Sequence, residues 1–185
     1  IGCPRLDTLS ASREGASEAT LGITWHWDAY LCPETRSAWP AWKGMVRAIA
    51  SVWPGPVLGH GHPRIFSTLA PHYEKAGIEP VPDADDFLGR VDLLTFDNTS
   101  LGYEAASLGI PVVALNAPWY RREVSHGLRF WDLVPGPELD PTGDGLGRVL
   151  QNLTTSQQVS YSRAAVTAQA DMAREMSAGE LQQAQ

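Results

Sequence analysis

The residues best suited to chemistry fall in short groups, each just after an apolar run. Trp25-His26-Trp27 closes the first run and Gly59-His60-Gly61-His62-Pro63-Arg64 the second. Asp97-Asn98-Thr99-Ser100 closes a later one, and Asn116-Ala117-Pro118-Trp119-Tyr120-Arg121-Arg122 the last. Three of the five histidines and three arginines sit in these groups, so the edge they share is cationic although the chain carries a net charge of −7. Such an edge suits an anionic small ligand. In the segment DNTSLGYEAASLGIPVVALN, 97–116, Asn98, Thr99 and Ser100 follow Asp97 with hydroxyls and backbone N–H groups where a helix starts. The free N–H groups and positive dipole end of a helix hold phosphate. Glu104 lies one turn further on, where a carboxylate can accept from two ribose hydroxyls. The same residues also read as ordinary helix capping.

His60 and His62 form an H-x-H on a strand and so share a face. One reading is a metal pair, as in metal hydrolases. Another has one ring packed and the other bonded to backbone. A third has His62 and Arg64 contacting phosphate or a leaving group, with Pro63 stiffening the loop. No second His/Asp cluster of convincing spacing follows, so no metal is expected.

Short apolar runs alternate with helical stretches, which signals a parallel α/β sheet. Strands are predicted at 21–27, 56–60, 79–81, 91–96 and 111–116. Helices are predicted at 41–52, at 65–76 with Gly77 as its stop, and at 100–108 closed by Gly109. The segment 83–90 is a short helix or turn, 119–129 a polar loop, and 144–153 and 156–176 are helical. In open parallel sheets ligands bind beyond the carboxyl ends of the strands, which is where the reactive groups stand. The expected division is a linker at 1–17, a parallel α/β domain at 18–153, and a C-terminal helix with a polar tail at 154–185.

Composition narrows the classes further. A chain of 185 residues and 20.1 kDa makes one domain, and 43% hydrophobic against 19% charged residues is globular. Apolar runs such as 110–115 are far short of the ~20 residues a membrane span needs. Net −7 argues against nucleic acid and anionic membranes as partners. Cys3 and Cys32 are too few for a disulfide framework or a Cys-based zinc site, so a cytoplasmic, reducing compartment is expected. The chain starts at Ile1 without Met, and an N-terminal half preceding it is expected.

Several motifs carry a family resemblance. Ile1-Gly2-Cys3-Pro4-Arg5-Leu6-Asp7 resembles the G-x-P-R-x-D stretch that opens the C-terminal half of GT-B-type transferases. Gly61-His62-Pro63-Arg64 resembles the HP turn of CDP-glycerol glycerophosphotransferases, and His126-Gly127-Leu128-Arg129-Phe130 their R-G-F segment. Asp97 to Ser100, Tyr103-Glu104-Ala105 and Leu108 to Val113 are similar to the donor-phosphate segment of those enzymes. They also resemble the D-S-G-G-x-x-E-E-A…L-G-x-P-V segment of UDP-N-acetylglucosamine 2-epimerases, and Thr24-Trp25-His26 resembles the epimerases' T-x-H-R. Thr99-Ser100 in place of Gly-Gly, and Trp27 in place of Arg, lie nearer the transferases. The likeness runs over 1–153.

The resemblance implies a Rossmann-like parallel sheet with helices on both faces, one half of a GT-B fold, and makes 18–153 its nucleotide-donor-binding domain. It implies a glycosyltransferase or glycerophosphotransferase that displaces a nucleotide from an activated sugar or a CDP-glycerol-like donor. The acceptor would be of cell-wall or glycan type. His62 and Arg129 would stabilise the departing phosphate; His26, Asp97, Asn98, Thr99, Ser100 and Glu104 would hold the donor. No metal or other cofactor is implied. Three alternatives stay open: a nucleotide-sugar 2-epimerase, a metal hydrolase using His60 and His62, and a non-catalytic nucleotide-binding module.

Overall fold

A computed structural model of the protein describes residues 19–28, 36–120, 134 and 136–141. Six strands form its sheet: β1 Leu21–Trp25, β2 Val57–Gly61, β3 Glu79–Pro80, β4 Leu93–Phe96, β5 Val112–Leu115 and β6 Glu138–Leu139. Among the described residues five helices accompany them: α1 Trp39–Trp42, α2 Val46–Val52, α3 Pro63–Ala76, α4 Ala84–Arg90 and α5 Leu101–Ser107. The strand order is β3-β2-β1-β4-β5-β6 and every pairing is parallel. This is the Rossmann-like architecture expected, and its order reverses between β1 and β4.

The sheet is buried on both sides, which is why its strands read as apolar runs. On one face Trp25, Trp42, Ile49, Leu69 and Tyr73 make a core with Leu21 and Ile23, under α1, α2 and α3. On the other, Phe87, Leu88, Phe96, Leu101 and Ala105 close α4 and α5 over Leu58 and Leu94. Gly59 and Gly61 leave β2 bare toward α3: a Cβ on Gly59 would enter the Tyr73 ring, and one on Gly61 the Leu69 side chain. Tyr73 therefore lies flat on the strand, and its hydroxyl donates to the His60 carbonyl at 2.6 Å. Burying side chains of this size contributes about 1.5–3 kcal/mol each. The close approach also sets the N-terminus of α3 beside the end of β2.

Register then levels the carboxyl ends. Thr24 aligns with His60 on β2 and with Phe96 on β4. One residue further out Asp97 is level with Trp25 and Gly61 and stays buried, and two residues out His26 and His62 emerge side by side.

Two elements differ from the sequence reading. The predicted helix at 41–52 is two helices, because a turn at 43–45 containing Gly44 interrupts it and Pro40 starts α1 early. The sheet also has a sixth strand, β6, whose two residues follow Pro137 and carry no apolar run. Gly77, with φ 77°, caps α3 as expected. The predicted linker, the helices at 144–153 and 156–176, and Arg129 lie outside the described residues. No helix among the described residues is long and apolar enough to cross a membrane.

Candidate functional site

The carboxyl ends of β1 and β2 bring four side chains together. The His26 and His62 rings meet edge to face, with centroids 5.6 Å apart. Trp27 lies 5.7 Å from His26 and 6.1 Å from His62. The Arg64 guanidinium covers the Trp27 ring at 4.6 Å. His62 is the N-cap of the 14-residue α3, and its Nδ1 accepts the Arg64 N–H at 3.2 Å. Pro63, at the first helical position, has no N–H to satisfy. His62 is therefore held as the neutral ring with its proton on Nε2. Burial, His26 and Arg64 lower its pKa and favour the same state.

His26 has the opposite tautomer. Its Nδ1 is 2.7 Å from the Trp27 carbonyl, which can only accept, so Nδ1 carries a proton. Nε2 is then the basic nitrogen of the neutral ring. One edge of the sheet thus offers a ring with a basic Nε2, a ring with an Nε2–H, and a guanidinium, all partly exposed.

Asp97 stands behind them, fully buried. Oδ1 accepts from the His26 N–H at 2.6 Å; Oδ2 accepts from Ser37 Oγ and the Ala38 N–H, both at 3.0 Å. No ion pair to it exists among the described residues. Burial, opposed by those donors, pushes its carboxyl up to about 7. Both of its carboxylate oxygens are thus engaged inside the protein, one of them on the His26 backbone.

The loop after β4 is also partly satisfied internally. The Thr99 N–H donates to the Asp97 carbonyl at 2.8 Å, and Asn98 meets Tyr120 through its backbone. The Thr99 side chain is buried, and its Oγ1 takes the Leu101 N–H at 3.4 Å. Ser100 is exposed and its hydroxyl reaches Glu104 Oε1 at 3.4 Å. The helix that this loop opens, α5, is only seven residues long. Glu104 is half-buried, close enough to His60 for its charge to act on that ring.

His60 faces the core. Its Nδ1 lies 2.9 Å from the Val81 carbonyl and its ring stacks on Phe87 at 5.1 Å. The H-x-H spacing thus gives one packed ring and one helix cap. Among the described residues no three His, Cys, Asp or Glu side chains are grouped to hold a metal ion. Asn116 lies further along the edge, its Nδ2 donating to Asp140 at 2.6 Å.

Sequence reasoning missed Ser37 and Ala38, which precede α1 and lie some sixty residues from the carboxylate they bind. It also missed the Arg64–Trp27 stack. A Trp two residues past a strand carries no signal of its own for a cation.

No family model matches the sequence, and no curated protein matches it. Among solved structures, the catalytic domain of Starch Synthase IV from Arabidopsis thaliana, bound to ADP and acarbose, is similar at 11% identity and a TM-score of 0.47. That likeness covers 94% of this chain, which spans 41% of that one.

Proposed function

We propose that this domain binds a nucleoside-diphosphate donor over the carboxyl ends of β1, β2 and β4, as the donor half of a GT-B-type transferase. The observation that carries the reading is the meeting of His26, His62 and Arg64 at one sheet edge, His62 with its Nε2–H and Arg64 with a full charge. A leaving diphosphate gathers negative charge as its bond to the transferred group breaks, and preorganised donors lower that barrier most. The Nε2–H of His62 and the Arg64 guanidinium supply such donors, and Arg129 joins them by its motif. Glu104 takes the ribose hydroxyls, and Ser100 and Thr99 border the phosphates. The transferred group is a sugar or a glycerol phosphate. His60 bonded to Val81 favours this reading over metal hydrolysis.

The test is calorimetric titration with CDP, UDP, GDP and ADP beside the matching nucleosides. Diphosphates should bind and nucleosides bind far less. Losing a charge-assisted hydrogen bond costs about 1.5–3 kcal/mol, so Arg64→Ala should weaken diphosphate binding roughly tenfold or more. Binding that ignores the diphosphate, or an unaltered affinity in the folded variant, would overturn the reading.

A further inference from the structure

We infer that Asp97 is the positioning residue of this sheet edge and works as a two-state, proton-controlled clasp between β1, β4 and the start of α1. The ionised carboxylate is a pure acceptor, and the groups facing it donate: its own backbone N–H and, from other elements, the His26 N–H, the Ser37 hydroxyl and the Ala38 N–H. Together these fix the backbone that carries His26 and the two residues before Trp39.

A proton changes this pattern at one place. No N–H can turn to accept, so a proton on the carboxyl has one available acceptor in the clasp, Ser37 Oγ. The carboxyl O–H then donates to Ser37 Oγ and the hydrogen bond between them reverses. Ser37 Oγ also receives the Trp39 N–H at 3.1 Å. Its own hydrogen, displaced from Asp97, must find another acceptor. The reversal is thereby transmitted to the first residue of α1.

The titratable groups around Asp97 leave it as the group that responds. From α3 comes Tyr73 and from beyond β5 Tyr120, both with phenols raised by burial and by Asp97 itself. From beyond β1 come His26 and the Asp28 carboxylate, which pairs with Arg36 at 2.6 Å. None makes an ion pair with Asp97, so dipoles alone hold its charge. The burial that raises Asp97 to about 7 brings the change into the neutral range.

The inference rests on the clasp geometry and requires no ligand, so its failure leaves the nucleotide reading standing. The experiment is a 1H–15N titration of the whole chain from pH 5 to 9. The Ala38 and Trp39 amides should shift together with one midpoint near 7, and His26→Gln should leave that midpoint in place. Asp97→Asn should abolish it. Ser37→Ala removes the hydroxyl that bonds both forms and links them to the Trp39 N–H, so it should uncouple the Trp39 amide from the midpoint, which serves if the Asn variant does not fold. Ala38 and Trp39 amides that stay still across the range, or that titrate unchanged in either variant, would overturn the inference.

Discussion

His26 and His62 stand 5.6 Å apart as a pair of opposite tautomers, one anchored through an Nδ1–H and the other through a bare Nδ1. The pairing follows from their partners, a carbonyl that only accepts and an amide that only donates. Imidazole 15N chemical shifts at pH 8 should report Nδ1–H for His26 and Nε2–H for His62. The same proton position on both rings would contradict this account of the edge.

Acid should weaken the fold through His60 and His62. Both have pKa values lowered by burial, so below the ordinary value of 6.5 the unfolded chain takes up protons that the folded protein refuses. Stability present above about pH 6.5 is then lost as pH falls. Urea melts of wild type and His60→Gln at pH 8, 7, 6 and 5 isolate this contribution from that of other groups: the stability of wild type relative to the variant should fall as the pH is lowered.

Asp97 acts with the opposite sign. Its folded pKa is raised, so between about 4 and 7 the folded protein holds a proton that the unfolded chain has released. Its contribution therefore falls as pH rises through that window, by an amount on the order of a few kcal/mol. The stability difference between wild type and Asp97→Asn should shift in that direction from pH 4 to pH 7. A constant difference would place the carboxyl outside this window.

Gly59 and Tyr73 should behave as one unit. Gly59→Ala drives a methyl into the Tyr73 ring, and overpacking of this kind costs about 1–3 kcal/mol. Tyr73→Leu alone loses buried area and the bond to the His60 carbonyl. In the double variant the clash is gone, so the combined loss in a denaturation series should be smaller than the two single losses added.

Fold and site were legible in the sequence to different depths. β1, β2, β4 and β5 announce themselves because a strand covered on both faces is apolar throughout. The strand ends follow, and with them His26 and His62. β6 was invisible because two residues carry no period, and the break at Gly44 because a pause in a helix leaves the apolar spacing intact. Asp97 read as one of a run of donor-binding or capping residues. Its inward turn depends on Ser37 and Ala38, brought to it by the α1 start, and local patterning carries no information on such a distant partner.

Arg64 offers a separate check on the site. Its stack on Trp27 is solvent-exposed, and such contacts contribute about 0.5–1 kcal/mol. Arg64→Ala should accordingly leave the melting transition almost unaltered while it weakens anion binding. A large fall in stability would give the residue a structural role instead.

The sheet ends, on the described residues, in two very short strands, β3 with Glu79–Pro80 and β6 with Glu138–Leu139. Pro80 has no N–H to donate outward, and Glu79 and Glu138 place exposed carboxylates on the two margins. A foreign strand arriving at either side meets two residues of backbone and a charged side chain, Glu79 with its partner Arg90 on one margin and Glu138 on the other, too little to template further pairing. Among the described residues the two margins thus act as terminators of the sheet, and the groups with polar chemistry, His26, His62 and Arg64, stand at its carboxyl rim instead.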